Sequence, residues 1–235
     1  MGFFDFLAEV DKYADDAASV QRLNARHKHL IQLFGEEIKN ARVFDIASHD
    51  GRWAYAFAAA GARKVVGVEA RQELIDLFKT YPDDNLRQKV DLRCNDLFDE
   101  LDSEVRKNKN YDVVAVFGIL YHIMDHFRLL KAAHSLHPKV ILVDSEFMDR
   151  PGPMIQLVRE KTDQDLNAAP QIAGQEIAVV GYPSFKALEV MADTLGYDVE
   201  WVDWMLLPDD QRKGVNDYYR ETGIRRGTCA LWPRA

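Results

Sequence analysis

A histidine and a closely spaced pair of carboxylates are the side chains in the middle of the chain best suited to catalysis. His122 follows an apolar run, and Asp144 and Glu146 flank Ser145 near the end of the next apolar run. Residues two apart on a strand point to the same side, so both carboxylates can face one site. Histidine as a residue type suits proton abstraction near neutral pH. Paired carboxylates suit a hard divalent cation such as Mg²⁺, so Asp144 and Glu146 are candidate metal ligands as well as catalytic residues.

Each of these candidates has a structural alternative that the sequence leaves open. His122 could equally hold the local structure or contact a bound ligand without taking a proton. Asp144 and Glu146 could equally cap the following loop or pair with Arg150. The general base at His122 and the Mg²⁺ site at the two carboxylates are therefore hypotheses that the sequence alone does not decide.

A second set of chemically informative residues lies in the stretch FDIASHDG and at the end of the next apolar run. A strand ends and a helix begins within this stretch, and helix amino termini favour anionic ligands. Glu69 ends the following strand, where a carboxylate can accept the hydroxyls of a ribose. Asp45 would repel a pyrophosphate but can pair with an ammonium group. The turn offers Ala47, His49 and Gly51 instead of the glycines of a dinucleotide site. These residues favour an adenosine that carries an amino acid over NAD.

The elements that must position these residues alternate along the chain from Arg42 onward. Almost continuously apolar runs are typical of parallel strands covered on both faces, and their alternation with helical patterns predicts a doubly wound α/β sheet. Two β-rich runs near the carboxyl terminus have no helix between them. We therefore expect a seven-stranded, mostly parallel sheet with a reversed last strand. The predicted strands are residues 42–47, 64–69, 90–94, 111–119, 139–147, 197–206 and 227–233.

The pattern divides the chain into an N-terminal helical segment, residues 1–40, and an α/β domain, residues 41–235. Residues 148–183 are rich in Pro, Gly, Gln and Asp and have weak periodicity, so they are predicted to form an insertion. Ligands of open α/β sheets bind at the carboxyl ends of the strands, which makes this insertion a candidate lid. A homodimer through the N-terminal helices remains open. Apolar side chains near the amino terminus are expected to pack onto the domain or a partner subunit: Phe3, Phe4, Phe6 and Leu7.

Composition limits the classes of partner. The 235 residues have 47% hydrophobic content and a formal net charge of -8, which argues against a nucleic-acid partner. Basic clusters are short, as at residues 22–28 and at Arg225 and Arg226. For Arg225 and Arg226 an anion-binding role and a solvated turn both fit. No apolar run approaches the roughly 20 residues of a membrane-spanning helix. Cys94 and Cys229 are expected to be reduced thiols, and the cytoplasm is the expected compartment.

Taken together, these motifs resemble those of class I S-adenosylmethionine (SAM) methyltransferases. That family's first motif, Asp/Glu-x-Gly-x-Gly-x-Gly, is similar to the segment from Asp45 to Gly51. An acidic residue ends the second strand, and the segment RCNDLF follows the third. The fourth strand is also similar to that of the family, in which the segment that corresponds to Gly118 to His122 lines the methionine end of the cofactor. The resemblance implies a Rossmann-like fold with SAM as its cofactor. It implies as cofactor-binding residues Asp45, Ala47, His49, Gly51, Glu69, Asn95, Asp96, Leu97 and Gly118.

The chain departs from the family pattern at two lost glycines, Ala47 and His49. Glycine adopts a positive φ freely, whereas histidine does so with strain. SAM binding is expected to survive if the turn keeps ordinary dihedrals at His49. A noncatalytic relative with a degenerate turn is the alternative.

The resemblance implies an O-methyltransferase that acts on a hydroxyl of a small polar acceptor, with a saccharide favoured. The segment DIASHDGRW is similar to that of bacterial saccharide methyltransferases of the methylmannose polysaccharide type. The alternative is a tRNA modifier, since FGILYHIMDHFRLL resembles a segment of the wobble-uridine carboxymethyltransferase, which uses a carboxylated SAM. Such an enzyme needs a basic face for phosphates, and this composition offers little of one.

Overall fold

The computed structural model describes residues 2–164 and 166–234. Its helices in that part of the chain are α1 Ala17–Leu30, α2 Gly35–Ile38, α3 Arg52–Ala59, α4 Gln72–Leu77, α5 Asp84–Arg87, α6 Leu97–Arg106, α7 His126–His134 and α8 Phe185–Thr194. Its strands there are β1 Arg42–Ile46, β2 Lys64–Glu69, β3 Val90–Cys94, β4 Val113–Phe117, β5 Val140–Asp149, β6 Ile155–Lys161, β7 Ile177–Pro183, β8 Tyr197–Trp201 and β9 Gly223–Pro233.

Within these residues, a seven-stranded sheet forms the middle layer, with the strand order β3-β2-β1-β4-β5-β9-β8. The first five strands in that order run parallel, and β9 runs antiparallel between β5 and β8. The predicted mostly parallel sheet with a reversed last strand is therefore confirmed. Because β1 to β5 are parallel, their carboxyl ends meet at one edge, where the predicted site residues converge.

The N-terminal segment shares a hydrophobic core with one face of the sheet. Phe4 is fully buried and packs edge to face against Trp53 of α3, with ring centroids 5.1 Å apart. Phe3 stacks on His27 at 4.6 Å. Edge-to-face and offset-stacked contacts of this kind add to the free energy of burial. Of the two alternatives for the amino-terminal aromatic residues, packing onto their own domain therefore holds, while the dimer stays a prediction.

Two features of the fold were not predicted. α6 was missed because four of the ten residues in its sequence, LFDELDSEVR, are acidic and its apolar stripe is short. Residues 155–183 contain the antiparallel hairpin of β6 and β7, which the weak periodicity concealed because most of β6 is exposed. Cys94 and Cys229 are free thiols, as expected. None of the helices in the described part of the chain is both long and apolar enough to cross a bilayer.

Candidate functional site

The turn between β1 and α3 has a left-handed backbone at each position where the related motif has glycine. The φ angles are +56° at Ala47, +55° at His49 and +77° at Gly51. The condition of ordinary dihedrals at His49 is therefore not met, and the backbone there is left-handed. The turn retains the shape that glycine favours, at a cost of about 1–2 kcal/mol for an alanine in this region. Histidine is more common there than most residues.

Close packing beneath the turn explains why the last glycine is retained. A Cβ atom on Gly51 would lie 2.7 Å from side-chain atoms of Leu92 and Phe78. A Cβ atom on Gly67 of β2 would lie 2.8 Å from the hydroxyl oxygen of Ser48. The turn therefore sits directly on β2 and β3, at positions where only glycine fits.

The N-terminal segment supports the same turn from the other side. The Tyr13 hydroxyl is hydrogen-bonded to the buried carboxylate of Asp50 and to the guanidinium group of Arg52. Burial alone would raise the pKa of Asp50, but Arg52 and His49 more than offset it and hold that pKa well below its ordinary value. Burial, followed by the charge of Arg52, lowers the pKa of His49. The turn is thus built around an ionised Asp50 and a neutral His49.

Glu69 and Asp96, which the resemblance implies as cofactor-binding residues, lie at the end of β2 and at the start of α6. Glu69 is buried at the end of β2 and accepts hydrogen bonds from the His49 N–H at 3.1 Å and from Nε of Arg71 at 2.8 Å. Asp96 caps α6, where its Oδ1 atom accepts the Phe98 N–H at 2.8 Å. One oxygen of Asp96 therefore serves the helix, and the residue also faces the cleft described below.

Asp45 lies beneath the turn with an unpaired carboxyl group. It is 1% exposed, and neither of its oxygens makes a well-formed hydrogen bond within the described residues. Burial raises its pKa to about 8. A buried carboxyl group without a partner is costly in its charged form, and contact between Asp45 and a ligand ammonium group stays a prediction.

A cleft of about 880 Å³ opens at this edge of the sheet, a volume typical of small-molecule sites. Of the residues predicted to bind the cofactor, Asp45 and Gly51 lie behind the lining of the cleft. Residues 166–171 of the insertion line it too, and their role as a lid stays a prediction. The predicted cofactor-binding residues in the lining are Ala47, His49, Glu69, Asn95, Asp96, Leu97 and Gly118.

His122 also lines the cleft, and its partner was not predicted. The Nδ1 atom of His122 lies 2.8 Å from Oε2 of Glu160 on β6. The same oxygen accepts the N–H of Ala168 at 3.0 Å. Among the described residues, Nε2 of His122 has no hydrogen-bond partner. Glu160 escaped sequence analysis because it lies 38 residues away, in a strand with no recognisable pattern.

Asp144 has a different environment from the one predicted. It is fully buried and does not line the cleft. Its Oδ1 atom accepts hydrogen bonds from Arg26 at 2.6 Å and Arg226 at 2.8 Å, and its Oδ2 atom accepts from Tyr218 at 2.6 Å and Thr228 at 2.7 Å. Burial alone would raise the pKa of Asp144, but the two arginines lower it to about 2. A carboxylate with these contacts holds the arginines in place and does not act as a base, which corrects the catalytic role suggested for it.

The arrangement does not fit the predicted Mg²⁺ site either. Glu146 lies 3.8 Å from Nη2 of Arg226 and is absent from the lining of the cleft. A guanidinium group therefore occupies the space between Asp144 and Glu146 in which a cation would be shared. Within the described residues, no group of three or more His, Cys, Asp or Glu side chains is placed to hold a metal ion.

The sheet order, the turn after β1 and the acidic residue that ends β2 define a class I SAM-dependent methyltransferase with a Rossmann-like fold. The cleft fits SAM, since Glu69 and Asp96 line it beside the turn, and the carboxyl group of Asp45 lies behind that turn without a well-formed hydrogen bond. The chain belongs to the methyltransferase domain family, whose model matches residues 18–202. No curated protein sequence matches the chain.

Solved structures with low sequence identity share the fold. The N-terminal domain of EvdMO1 with S-adenosylhomocysteine (SAH) bound is 17% identical, with a TM-score of 0.64 over 91% of this chain and 81% of that one. A SAM-dependent methyltransferase from Mesorhizobium loti is 14% identical, with a TM-score of 0.59 over 92% and 99%. The 1,6-didemethyltoxoflavin-N1-methyltransferase of Burkholderia thailandensis is 17% identical, with a TM-score of 0.53 over 98% and 86%.

Proposed function

We propose that this chain transfers a methyl group from SAM to a hydroxyl group of a small polar acceptor of the saccharide class. The observation that carries the proposal is the 2.8 Å contact between His122 and Glu160 beside the cofactor turn. SAM supplies an electrophilic methyl group on a sulfonium centre. An alcohol acceptor must lose its proton, and a histidine held by a carboxylate is suited to take it.

The geometry assigns separate tasks to the two nitrogens of His122. When Nδ1–H donates to Glu160, the neutral ring presents the lone pair of Nε2 to the cleft. Glu160 thus fixes both the tautomer and the orientation of the ring. The residues that would hold SAM follow three neighbouring strands, with Glu69 at the end of β2 toward the ribose, Asp96 after β3 toward the adenine and Gly118 after β4 toward the methionine end.

The saccharide class is supported by the acceptor end of the cleft and by one structural neighbour. Tyr121 and Arg226 line the cleft near His122 and offer hydroxyl and guanidinium groups for polar contacts. The N-terminal domain of EvdMO1 has also been solved in the presence of SAH and D-fucose, at 16% identity and a TM-score of 0.64 over 91% of this chain. That observation makes sugars the first acceptors to try.

Calorimetric titration of SAH into the full chain and into Glu69→Ala tests the cofactor site. We expect SAH to bind the wild type and to lose at least about tenfold in affinity in the variant. Incubation with SAM and a panel of monosaccharides, followed by measurement of released SAH, then tests transfer. We expect His122→Asn to lose about 100-fold in turnover while retaining SAH binding.

His134→Asn is the matched control, because His134 lies at the far end of α7 and bonds Tyr197 outside the cleft. It should leave turnover unchanged. An intact protein that fails to bind SAH would refute the proposal. SAH binding with no turnover of any saccharide would favour the noncatalytic alternative.

A further inference from the structure

We propose that the end of the cleft at β9 is an anion-binding subsite that holds a carboxylate or phosphate group of the acceptor. The inference rests on the proposed function and narrows its acceptor to an anionic small molecule. Three arginines define the subsite: Arg22 and Arg26 from α1 and Arg226 from β9. All three line the cleft.

The two carboxylates that are hydrogen-bonded to these arginines, Asp144 and Asp217, lie behind them, and Glu146 lies 3.8 Å from Arg226. Asp144 is fully buried, Asp217 is 8% exposed, and neither lines the cleft. Arg22 makes two contacts of 2.6 Å to Asp217. Arg226 donates to Asp144 at 2.8 Å and to Asp217 at 3.1 Å. The guanidinium groups therefore present their positive charge to the cleft while their counter-ions hold them from the protein side.

Arg26 has donor capacity left for a ligand. Its Nε donates to the Tyr218 hydroxyl at 2.9 Å and its Nη2 to Asp144 at 2.6 Å. The group lies over the Trp53 ring, with Cζ 5.1 Å from the ring centroid, which fixes its plane. Its Nη1 atom has no hydrogen-bond partner among the described residues. Nη1 is not among the buried unpaired atoms of the described residues, so it is open to the cleft and can donate to a ligand oxyanion.

The acidic residues of the cleft belong to other elements. Glu69 ends β2, Asp96 and Asp99 start α6 after β3, and Asp125 precedes α7. In the sheet order, β3 and β2 lie at one side of β1 and β9 lies beyond β4 and β5 on the other. Arg52, Arg71 and Arg128 also line the cleft, so its nucleoside end has charges of both signs, whereas the described lining residues from α1 and β9 include three arginines and no acidic residue. An anionic acceptor can pair with these arginines from the cleft side, which a neutral acceptor cannot do.

The subsite is connected to the proposed base. Nη2 of Arg226 donates to the Tyr121 hydroxyl at 2.8 Å, and Tyr121 directly precedes His122. An acceptor anchored by its oxyanion at Arg26 and Arg226 would therefore extend toward His122. Arginine suits this task because its planar group matches carboxylate and phosphate oxygens.

The test compares D-glucuronate, D-glucose 6-phosphate and D-glucose as probes of the full chain, titrated with and without saturating SAH. We expect both charged sugars, or the one whose oxyanion the subsite prefers, to bind at least about tenfold more tightly than glucose. Comparison of the two charged sugars distinguishes a carboxylate from a phosphate ligand. Equal affinities for all three sugars, or no binding of either charged sugar, would overturn the proposal.

Two variants locate the effect. Arg26→Gln removes the open donor and should abolish the preference for charged sugars while SAH still binds. Because Arg26→Gln removes a partner of Asp144, thermal unfolding checks that the variant is folded. Arg22→Gln is a second, milder variant, because 27% of the Arg22 side chain is exposed. Arg225→Gln, next along β9 but outside the cleft lining, is the control and should keep the preference.

Unchanged preference in folded Arg26→Gln and Arg22→Gln would also overturn the subsite. SAH affinity is measured separately from sugar affinity. Loss of the proposed function, seen as no SAH binding by the wild type, can therefore be told apart from failure of the subsite.

Discussion

Nδ1 of His122 and Oε2 of Glu160 lie 2.8 Å apart across the boundary between the α/β core and the inserted hairpin. The same Glu160 oxygen also accepts the N–H of Ala168, in the loop that lines the cleft. Burial alone would raise the pKa of Glu160, but the hydrogen bond to His122 outweighs it and the pKa lies below its ordinary value. An ionised carboxylate therefore joins the proposed base to the insertion.

Glu160→Gln tests the contribution of that carboxylate. The amide keeps the size of the side chain but removes the charge that fixes the ring of His122. We expect kcat to fall by about tenfold to 100-fold with little change in KM, measured with a saccharide acceptor that supports turnover. Arg159→Gln, at the exposed neighbouring position on β6, is the control. A Glu160→Gln enzyme with wild-type kcat would show that His122 needs no orienting partner.

Asp45→Asn tests the cost of the unpaired carboxyl group beneath the turn. Its folded pKa of about 8 lies above its ordinary value of 3.8. Below the lower value the group is protonated in both folded and unfolded chains. Between the two pKa values the folded chain binds more protons than the unfolded chain. The contribution of Asp45 to the free energy of unfolding therefore falls as the pH rises toward 8. Asn removes this loss, and we expect the variant to be more stable than the wild type by at least about 2 kcal/mol at pH 8.

The measurement is urea unfolding of both proteins at several pH values without SAM or SAH. At pH 4 the two should be of similar stability, because the native carboxyl group is then largely protonated. Asp15→Asn, at an exposed position in the N-terminal segment, should leave the pH dependence unchanged. If the difference in free energy of unfolding between Asp45→Asn and the wild type did not grow between pH 4 and pH 8, the raised pKa of Asp45 would be contradicted.

The sequence predicts the parts of the site that are determined by local pattern. The continuous apolar runs of β1, β2, β4 and β5 locate the sheet, and residues that end strands, such as Glu69, follow from them. The partners of His122 and Asp144 could not be predicted in this way. Glu160 reaches His122 only through the hairpin, and Arg26 reaches Asp144 from α1, 118 residues earlier. Long-range pairings of buried charges leave no periodic signal in the chain.

Tyr13→Phe tests the support that the N-terminal segment gives to the turn. The change removes the hydroxyl that bonds Asp50 and Arg52 and leaves a buried carboxylate with fewer donors. We expect a loss of about 1–3 kcal/mol in the free energy of unfolding and weaker SAH binding by calorimetry. Tyr197→Phe removes a hydroxyl that bonds His134 on the far side of the domain, so it should leave SAH affinity unchanged. Equal SAH affinities for Tyr13→Phe and Tyr197→Phe would show that the N-terminal segment does not contribute to SAH binding.

Ala47→Gly and Gly51→Ala test the left-handed turn in opposite directions. Ala47→Gly relieves the strained φ of +56° but adds conformational entropy to the unfolded chain. We expect the first effect to be larger, so that the free energy of unfolding rises by up to about 1 kcal/mol. Gly51→Ala combines a φ of +77° with Cβ contacts of 2.7 Å to Leu92 and Phe78, and we expect a loss of about 2–4 kcal/mol. Thermal and urea unfolding with and without SAH measure both changes. If Ala47→Gly were destabilising, the turn in solution would not have the left-handed backbone, and His49 would then lie in a different place relative to the cofactor site.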